Sequence, residues 1–471
     1  MEGLEAVEIN FSVCSSIIDF RIDANTFKKD YIKSDELINS KPNSIIEELS
    51  KSVMNFGAYS LCNFINFKDS GIPFLMTQNI RHNYIDWNID KFVDKESHNM
   101  LYKSHCKKGQ VLITMAGEYL GRVAVYDREE ICSSNQAIAK VTLKKDLSPY
   151  IISTFLNSKH GQNQINRFKT ITGQPNINMS LIKSLKIPWF SNNFQIIIEK
   201  LILESQSKRD FTSDIYQEAE NILFKTIGLN KNEISINPIN IKKFSESFLV
   251  NGRLDAEYYQ KKFEDYINLI CIYPNGFETI QSSCNQKDTN FTPNEIKEYN
   301  YIELSNIGKS GDIKGCTTAL GNELPSRARR KVNTDDVIIS SIEGSLDSCA
   351  VITEEYNNAL CSTGFYIINS TKINSETLLV LFKSEPMQNL LKKSCSGTIL
   401  TAINKTEFQN LPVPIIEEKI QMIIKEKVSE SFKLKKQSEE LLEIVKRAVE
   451  IAIEDNEEIA IEYIKKEVKH A

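Results

Sequence analysis

The chain is written twice. Arg21-Ile22-Asp23-Ala24, followed by Phe27-Lys28-Lys29-Asp30-Tyr31, returns as Arg253-Leu254-Asp255-Ala256, followed by Tyr258-Tyr259-Gln260-Lys261-Lys262, at an offset of 232 residues (253 − 21). Phe74-Leu75-Met76-Thr77-Gln78-Asn79-Ile80 returns as Tyr301-Ile302-Glu303-Leu304-Ser305-Asn306-Ile307 at 227 (301 − 74). Val111-Leu112-Ile113-Thr114, ahead of Gly117, returns as Val337-Ile338-Ile339-Ser340, ahead of Gly344, at 226 (337 − 111). Leu156-Asn157-Ser158 then matches Phe382-Lys383-Ser384, Ile177-Asn178 matches Ile403-Asn404, and Leu185-Lys186-Ile187-Pro188 matches Leu411-Pro412-Val413-Pro414, again at 226 (384 − 158). The register holds into Gln195 and Gln421. One such match is easily accidental; a steady offset over separated blocks, drifting only across loop-like stretches, marks a duplicated domain. The period is far too long for a solenoid repeat.

Each copy has the same two parts. The first is a mixed region of about 180 residues whose short β-branched runs, at 109–114, 137–141, 336–340 and 365–368, are punctuated by Gly, Asn and Ser, the pattern of an α/β globule. The second is a long helix, opened by the boundaries at Pro188 and Pro414 that stop the preceding strand. Ile198, Ile202, Ser205, Phe211, Ile215, Ala219 and Ile222 fall largely at three- and four-residue steps, as do Ile420, Ile424, Val428, Phe432, Leu441, Val445 and Ala448, with a polar break at Lys435 and Lys436. A helix over 195–227 would span about 50 Å at roughly 1.5 Å per residue, more than its own globule needs, and such helices pack on each other. The alternative is that each helix caps its own globule. The heptads are too irregular to separate an intramolecular antiparallel pair from a helix offered to a partner. The tail over 454–471 reads as a further amphipathic helix, structural or docking. The fold class is therefore α+β, with two tandem homologous α/β globules, each followed by a long helix.

Composition removes several classes. With 41% hydrophobic and 25% charged residues among 471, the chain is of ordinary globular type. The opening Met1-Glu2-Gly3-Leu4-Glu5 lacks the basic and apolar regions of a signal peptide, and the apolar stretches are short, so a cytoplasmic protein that does not enter the membrane is expected. None of the ten cysteines forms a CxxC pair, and no two of the five histidines sit at helical ligand spacing, so no metal site is expected; His105 beside Cys106 is the one suggestive neighbour pair. A net charge of −5 does not announce a nucleic-acid binder, so any DNA contact must come from local patches.

The residues that common chemistries require are missing. Gly308-Lys309-Ser310 looks like the end of a phosphate loop, but Glu303 stands where its first glycine belongs. Asn237-Pro238-Ile239-Asn240 and Ser148-Pro149-Tyr150 fail the motif that holds a flipped base in amino-methyltransferases, and Gly117 with Gly121 is not placed as a methyl-donor loop. There is no GxSxG elbow, no HExxH and no evident paired-carboxylate nuclease cluster. No catalytic residue is assigned, and a recognition protein leads.

Reading a base edge needs polar or cationic side chains held on rigid edges. In the first copy the candidates are Gln78 and Asn79 with Arg81 and His82, then Arg122, Gln136 and Gln174; in the second they are Asn306, Lys309 and Thr398. Basic clusters precede the same strand in both halves: Lys103, Lys107 and Lys108 in one, Arg327, Arg329, Arg330 and Lys331 in the other. Such clusters neutralise phosphates even on an acidic chain. The competing reading is that these are solvated loops of the kind any globule carries.

The Arg-x-Asp-Ala openings, the strand-turn blocks from Gly109 to Gly121 and from Ser326 to Gly344, the Leu-x-Ile/Val-Pro ends and the helices beginning near Gln195 and Gln421, in this order and twice over, resemble the DNA specificity (S) subunit of type I restriction-modification systems. The resemblance covers nearly the whole chain. It implies a target recognition domain at 1–190, a central spacer helix at 191–229, a linker at 230–245, a second target recognition domain at 246–414, and a C-terminal spacer helix with a tail helix at 415–471. It further implies that each domain reads half of a split, asymmetric double-stranded DNA site, and that the helices pair as an antiparallel coiled coil whose length sets the gap. Two methyltransferase subunits and a motor-nuclease subunit are the implied partners, and S-adenosylmethionine, ATP and Mg would sit on them, with no cofactor on this chain. Departures from the pattern are the acidic charge and the long tail. The alternatives are a subunit serving a methyltransferase without a nuclease, and a protein-binding scaffold whose globules never touch DNA.

Overall fold

Val111-Leu112-Ile113-Thr114 forms a strand buried on both faces, as does its counterpart Val337–Ser340. In a strand alternate side chains point to opposite sides, and here each side meets a different core. Val111 and Ile113 pack with Phe155, Ile165 and Ile198, whereas Leu112 packs with Leu75, Ala124 and Ile138. In the second copy Val337 and Ile339 meet Phe382, Leu390 and Ile424, while Ile338 meets Ile302, Ala350 and Ile367. A strand wedged between two cores has to be apolar throughout.

The computed structural model describes residues 7–17, 20–56, 65–144, 147–170, 173–229, 234, 235, 237, 239–396 and 401–469. The chain folds as two compact units, residues 1–208 together with 436–471, and residues 209–435. In the first, a four-stranded antiparallel sheet runs Ser50–Met54, Ile138–Leu143, Val111–Thr114, Val123–Val125. A second sheet runs Phe67–Lys68, Phe92–Val93, Ile72–Leu75, Cys132–Ser134, His105–Cys106, with Phe74 and Ser133 on a parallel pair. In the other unit the first sheet runs Asn285–Gln286, Phe365–Asn369, Val337–Ser340, Cys349–Val351, and the second runs Thr317–Leu320, Glu298–Ile302, Leu360–Ser362, Ala328–Lys331, with Tyr301 and Leu360 on the parallel pair. Helices Pro149–Asn157 and Lys159–Phe168 correspond to Ser375–Lys383 and Glu385–Lys393. The duplication is thus one of topology as well as sequence.

Repeated polar residues hold each unit together. Arg21 donates through Nε to Asp23 at 2.8 Å and through Nη1 to the Lys169 carbonyl at 3.0 Å, and Arg253 donates to Asp255 at 2.6 Å and to the Cys395 carbonyl at 3.5 Å. The Gln162 amide donates to the carbonyls of Leu156 and Gly121, and that of Gln388 to the carbonyls of Phe382 and Leu346. Gln195 accepts from the Ser148 N–H at 3.1 Å, and Gln421 from the Asn374 N–H at 2.7 Å. Each ties otherwise orphaned backbone groups at turns and helix ends.

The long helices are Asn192–Ile227, 36 residues, and Glu418–Glu454, 37 residues. They pack antiparallel. In the first unit Ser205 meets Ser438 at 2.9 Å and Lys208 meets Gln437 at 2.9 Å; in the second Ser431 donates to the Thr212 carbonyl at 3.0 Å and Lys427 pairs with Glu218 at 2.5 Å. The expected stripe needs a correction: Phe211 is exposed, and the buried positions are Thr212, Tyr216, Ala219 and Leu223. The facing residues explain it. Buried Ser205, Thr212, Ser431 and Ser438 let the backbones approach, and positions 205, 212, 216, 219 and 223, in steps of seven, four, three and four, follow a heptad seam with hydroxyls at its middle. At the expected polar break, Lys435 reaches the Asp312 carboxylate. The tail forms its own helix, Glu457–Glu467, capped by Asn456 and burying Ala460 and Ile464 in the first unit's core.

Candidate nucleic-acid interface

The two basic clusters occupy the same place in each unit. Strand His105–Cys106 is the edge of its sheet and Ala328–Lys331 is the edge of the matching sheet. An edge strand leaves one row of N–H and C=O groups open, and flanking positive charge both discourages strand pairing and attracts polyanions. In the first unit Lys103 lies in the turn Tyr102–Ser104 that leads into the edge, and exposed Lys107 and Lys108 follow it, with Lys108 also pairing with Glu129 at 2.9 Å. In the second, the register slips between Ala328 and Arg330, so Arg329 sits at an irregularity that re-aims its side chain.

The arginines there are not equivalent. Arg327 is exposed, with Glu303 3.8 Å away, and Lys331 is exposed beside the Phe291 ring. Arg329 makes a hydrogen bond from Nε to the Ser326 carbonyl at 3.0 Å. Arg330, whose side chain is 19% exposed, donates to the Lys287 carbonyl at 3.4 Å and lies 3.6 Å from Asp288. That guanidinium is engaged internally, in contrast to its neighbours.

Two of the paired candidates also serve the fold. Asn79 is buried; its Oδ1 accepts from the Met76 N–H at 2.9 Å and its amide donates to the Asp86 carbonyl at 3.2 Å. Asn306 accepts from the Glu303 N–H at 2.7 Å, closing the same turn. Gln78, beside Asn79, is exposed, and so is Lys309. Gly308, next to Lys309, abuts the carboxylate of Asp312, an acidic wall where a phosphate loop would need open N–H groups.

Arg81, His82 and Arg122 form a separate group. Arg81 is 3.5 Å from Asp86, and His82 Nδ1 lies 2.8 Å from Asn157 Oδ1. Arg122 stacks 4.4 Å above the Tyr119 ring, and its Nη1 is buried without a hydrogen-bond acceptor among the described residues. Burial, and then the charge of Arg81, draws the Arg122 guanidinium below its usual range, and burial does the same to the His82 imidazole. Gln174 is exposed and its amide approaches Gly117, while Gln136 is half-buried. Thr398 lies outside the described residues. Two exposed groups that the sequence reading passed over flank the first edge: Tyr102 precedes the strand, and Ile131 precedes Cys132, the partner of Cys106. An aromatic residue beside Lys103 was the available signal.

Among the described residues no three His, Cys, Asp or Glu side chains are grouped to hold a metal, and no helix is long and apolar enough to cross a membrane.

Fold and edges together define a tandem α+β protein with a basic sheet edge in each copy and a pair of long antiparallel helices. No family model matches the chain. Among solved structures it is similar to the S subunit of a type I restriction-modification system from M. genitalium, at 15% identity over 88% of this chain and 95% of that one, with a TM-score of 0.44. It is also similar to the HsdS subunit from Thermoanaerobacter tengcongensis, at 13% identity over 88% and 97%, with a TM-score of 0.29. A chain from work on complex assembly and conformational transition of the type I R-M system matches at 12% identity over 88% and 97%, also with a TM-score of 0.29.

Proposed function

We propose that this chain is the sequence-reading, non-catalytic specificity subunit of a type I restriction-modification complex. In this reading each copy contacts one half of a bipartite, asymmetric DNA site, with the basic edges at Lys107 and Lys108 and at Arg327, Arg329 and Lys331 as the first points of contact. The observation that carries it is the duplication of the edge: the two units share four strands of this sheet in the same order, the first adding Phe67–Lys68 at the far side, and both have cations at the same edge strand. Two modest contacts on one molecule gain affinity through effective concentration, and the wrong spacing forfeits one of them. The paired helices are the spacer in this reading. Methylation and restriction belong to partners, namely two methyltransferase subunits and a motor-nuclease, which would carry S-adenosylmethionine, ATP and Mg.

The test is to co-express the chain with the methyltransferase encoded beside it, in a host without other methylation, and to map modified bases by single-molecule sequencing. A two-part motif with a fixed gap is the expected result. An assembled, active complex that methylates without sequence preference would overturn the reading and favour a scaffold.

A further inference from the structure

Lys140 is a lysine that the core swallows whole: its side chain is 0% exposed. A desolvated ammonium is costly unless something negative accompanies it. The ammonium's one hydrogen bond among the described residues runs from Nζ to Ser134 Oγ at 3.0 Å; burial draws it below its usual range, and the groups that oppose this are not carboxylates but the thiols of Cys106 and Cys132.

The strands explain the grouping. Cys106 and Cys132 are direct partners across the antiparallel pair His105–Cys106 with Cys132–Ser134, and both are buried in one apolar cluster. Ser134 is two residues from Cys132, so both side chains point to the same face and Lys140 reaches that face beside the thiols. Directly opposed residues of an antiparallel pair have Cα atoms about 4.5 to 5.5 Å apart, inside the range a disulfide spans. The Cys132 thiol beside it, and then the Lys140 ammonium, hold the Cys106 thiol below its ordinary range against its burial, while the same pairing and burial push Cys132 up. Cys349, buried with Lys383 nearby but with Ile339 rather than a second thiol opposite it, is pushed up to about 12. The duplicate has Val332 and Tyr366 at the positions of Cys106 and Lys140 (106 + 226 and 140 + 226), so the arrangement belongs to one copy.

We propose that Cys106 and Cys132, directly opposed across their strands beside the buried Lys140, are an oxidative modification site that a hydroperoxide converts to a cross-strand disulfide. The chemistry balances within the group. The Cys106 thiolate attacks one oxygen of hydrogen peroxide, the O–O bond breaks, and the Lys140 ammonium gives its proton to the departing hydroxide, leaving a sulfenic acid, a neutral amine and water. The Cys132 thiol then attacks the sulfenic sulfur, and its proton leaves with the hydroxyl as a second water. Sulfur loses two electrons and peroxide gains them. The product also relieves the buried charge, since Lys140 ends neutral. Because Lys107 and Lys108 follow Cys106 directly, the bond would tie down the strand that leads into the basic edge. The proposal does not depend on what that edge binds.

The full-length reduced protein is treated with hydrogen peroxide, alkylated in denaturant and digested with trypsin, which places the two cysteines in separate peptides, 104–107 and 129–140. A disulfide-linked pair of these peptides is expected, formed at least about tenfold more slowly in Lys140→Met, where loss of the cut at 140 extends the second peptide to 129–144, since the thiolate is the reacting species. Absence of the linked pair while half-buried Cys271 becomes oxidised, or an unchanged rate in Lys140→Met, overturns the proposal. If Lys140→Met does not fold, Cys132→Ser decides: dimedone must label Cys106 ahead of Cys349, and equal labelling overturns it.

Discussion

The edge of the second unit makes a quantitative prediction because its arginines differ in how they are held. A phosphate contact adds about 0.9 to the slope of log affinity against log salt, so each contact costs roughly 3.5-fold in affinity between 50 and 200 mM salt, and two cost about 12-fold. Arg327 is exposed with one outer nitrogen a loose 3.8 Å from Glu303, and Arg329 is held, among the described residues, through Nε, so each has an outer nitrogen to offer. Replacing both with Ala should therefore lower the slope by about 1.8 and recover about 12-fold of the salt-induced loss. Arg330 is engaged with the Lys287 carbonyl and Asp288. Its replacement by Ala should leave the slope alone and cost about 1–2 kcal/mol of stability instead. The assay is fluorescence anisotropy of the assembled complex on its mapped site across a salt series, with urea unfolding alongside. An unchanged slope in the double variant, or a slope change in Arg330→Ala equal to that in Arg329→Ala, would refute the assignment.

Three further outcomes follow from the interior. Asn157 is buried and bonds to Asn83, Val123, Ser153 and His82; Asn157→Ala leaves the Val123 N–H without its acceptor, although the Val123 carbonyl keeps the Asn83 N–H and Ser153, and should cost about 1–3 kcal/mol, seen as a lowered Tm. Ser438→Leu places a large side chain where Ser205 and Ser438 meet at 2.9 Å and should destabilise by about 1–3 kcal/mol through overpacking, whereas Ile444→Leu on the same helix should be nearly silent; denaturant midpoints check both. His82, His98 and His160 are each held below the usual 6.5, chiefly by burial, so the unfolded chain takes up protons that the folded one refuses. Stability should be full above pH 6.5 and fall as the pH drops from there towards the lowered folded values, and His160→Gln should flatten that fall in a series of Tm measurements.

How much of this was legible in the sequence depended on whether a residue's job is local. The duplication, the doubly buried strand at Val111 and the two long helices could be read because apolar runs and proline stops act within their own segment. Of the helix seam, Ser205 and most of the apolar positions could be read, but Thr212, Ser431 and Ser438 could not, because hydroxyls carry no hydrophobic signal. Phe211 drew the eye to the wrong face. The candidate site was legible less directly: the repeated asparagines Asn79 and Asn306 read in the sequence as contacts to bases, and each also closes a turn of its own unit. Repetition of a polar residue here marks what the fold requires in both copies. Arg330 could not be distinguished from Arg329 without knowing that the Lys287 carbonyl lies within its reach, 43 residues away.

The division into units also sets an order of events at the ribosome. The unit formed by residues 209–435 is one continuous stretch, whereas the other needs residues 436–471 to complete the core that Phe194, Ile198 and Ile202 share with Leu441, Val445 and Ala448. A nascent chain that has reached residue 208 must wait for 263 more (471 − 208), about 13 to 50 s at roughly 5–20 residues per second. The half of the protein that is synthesised first is therefore the half that is finished last, and until then it shows an apolar groove to any chaperone present.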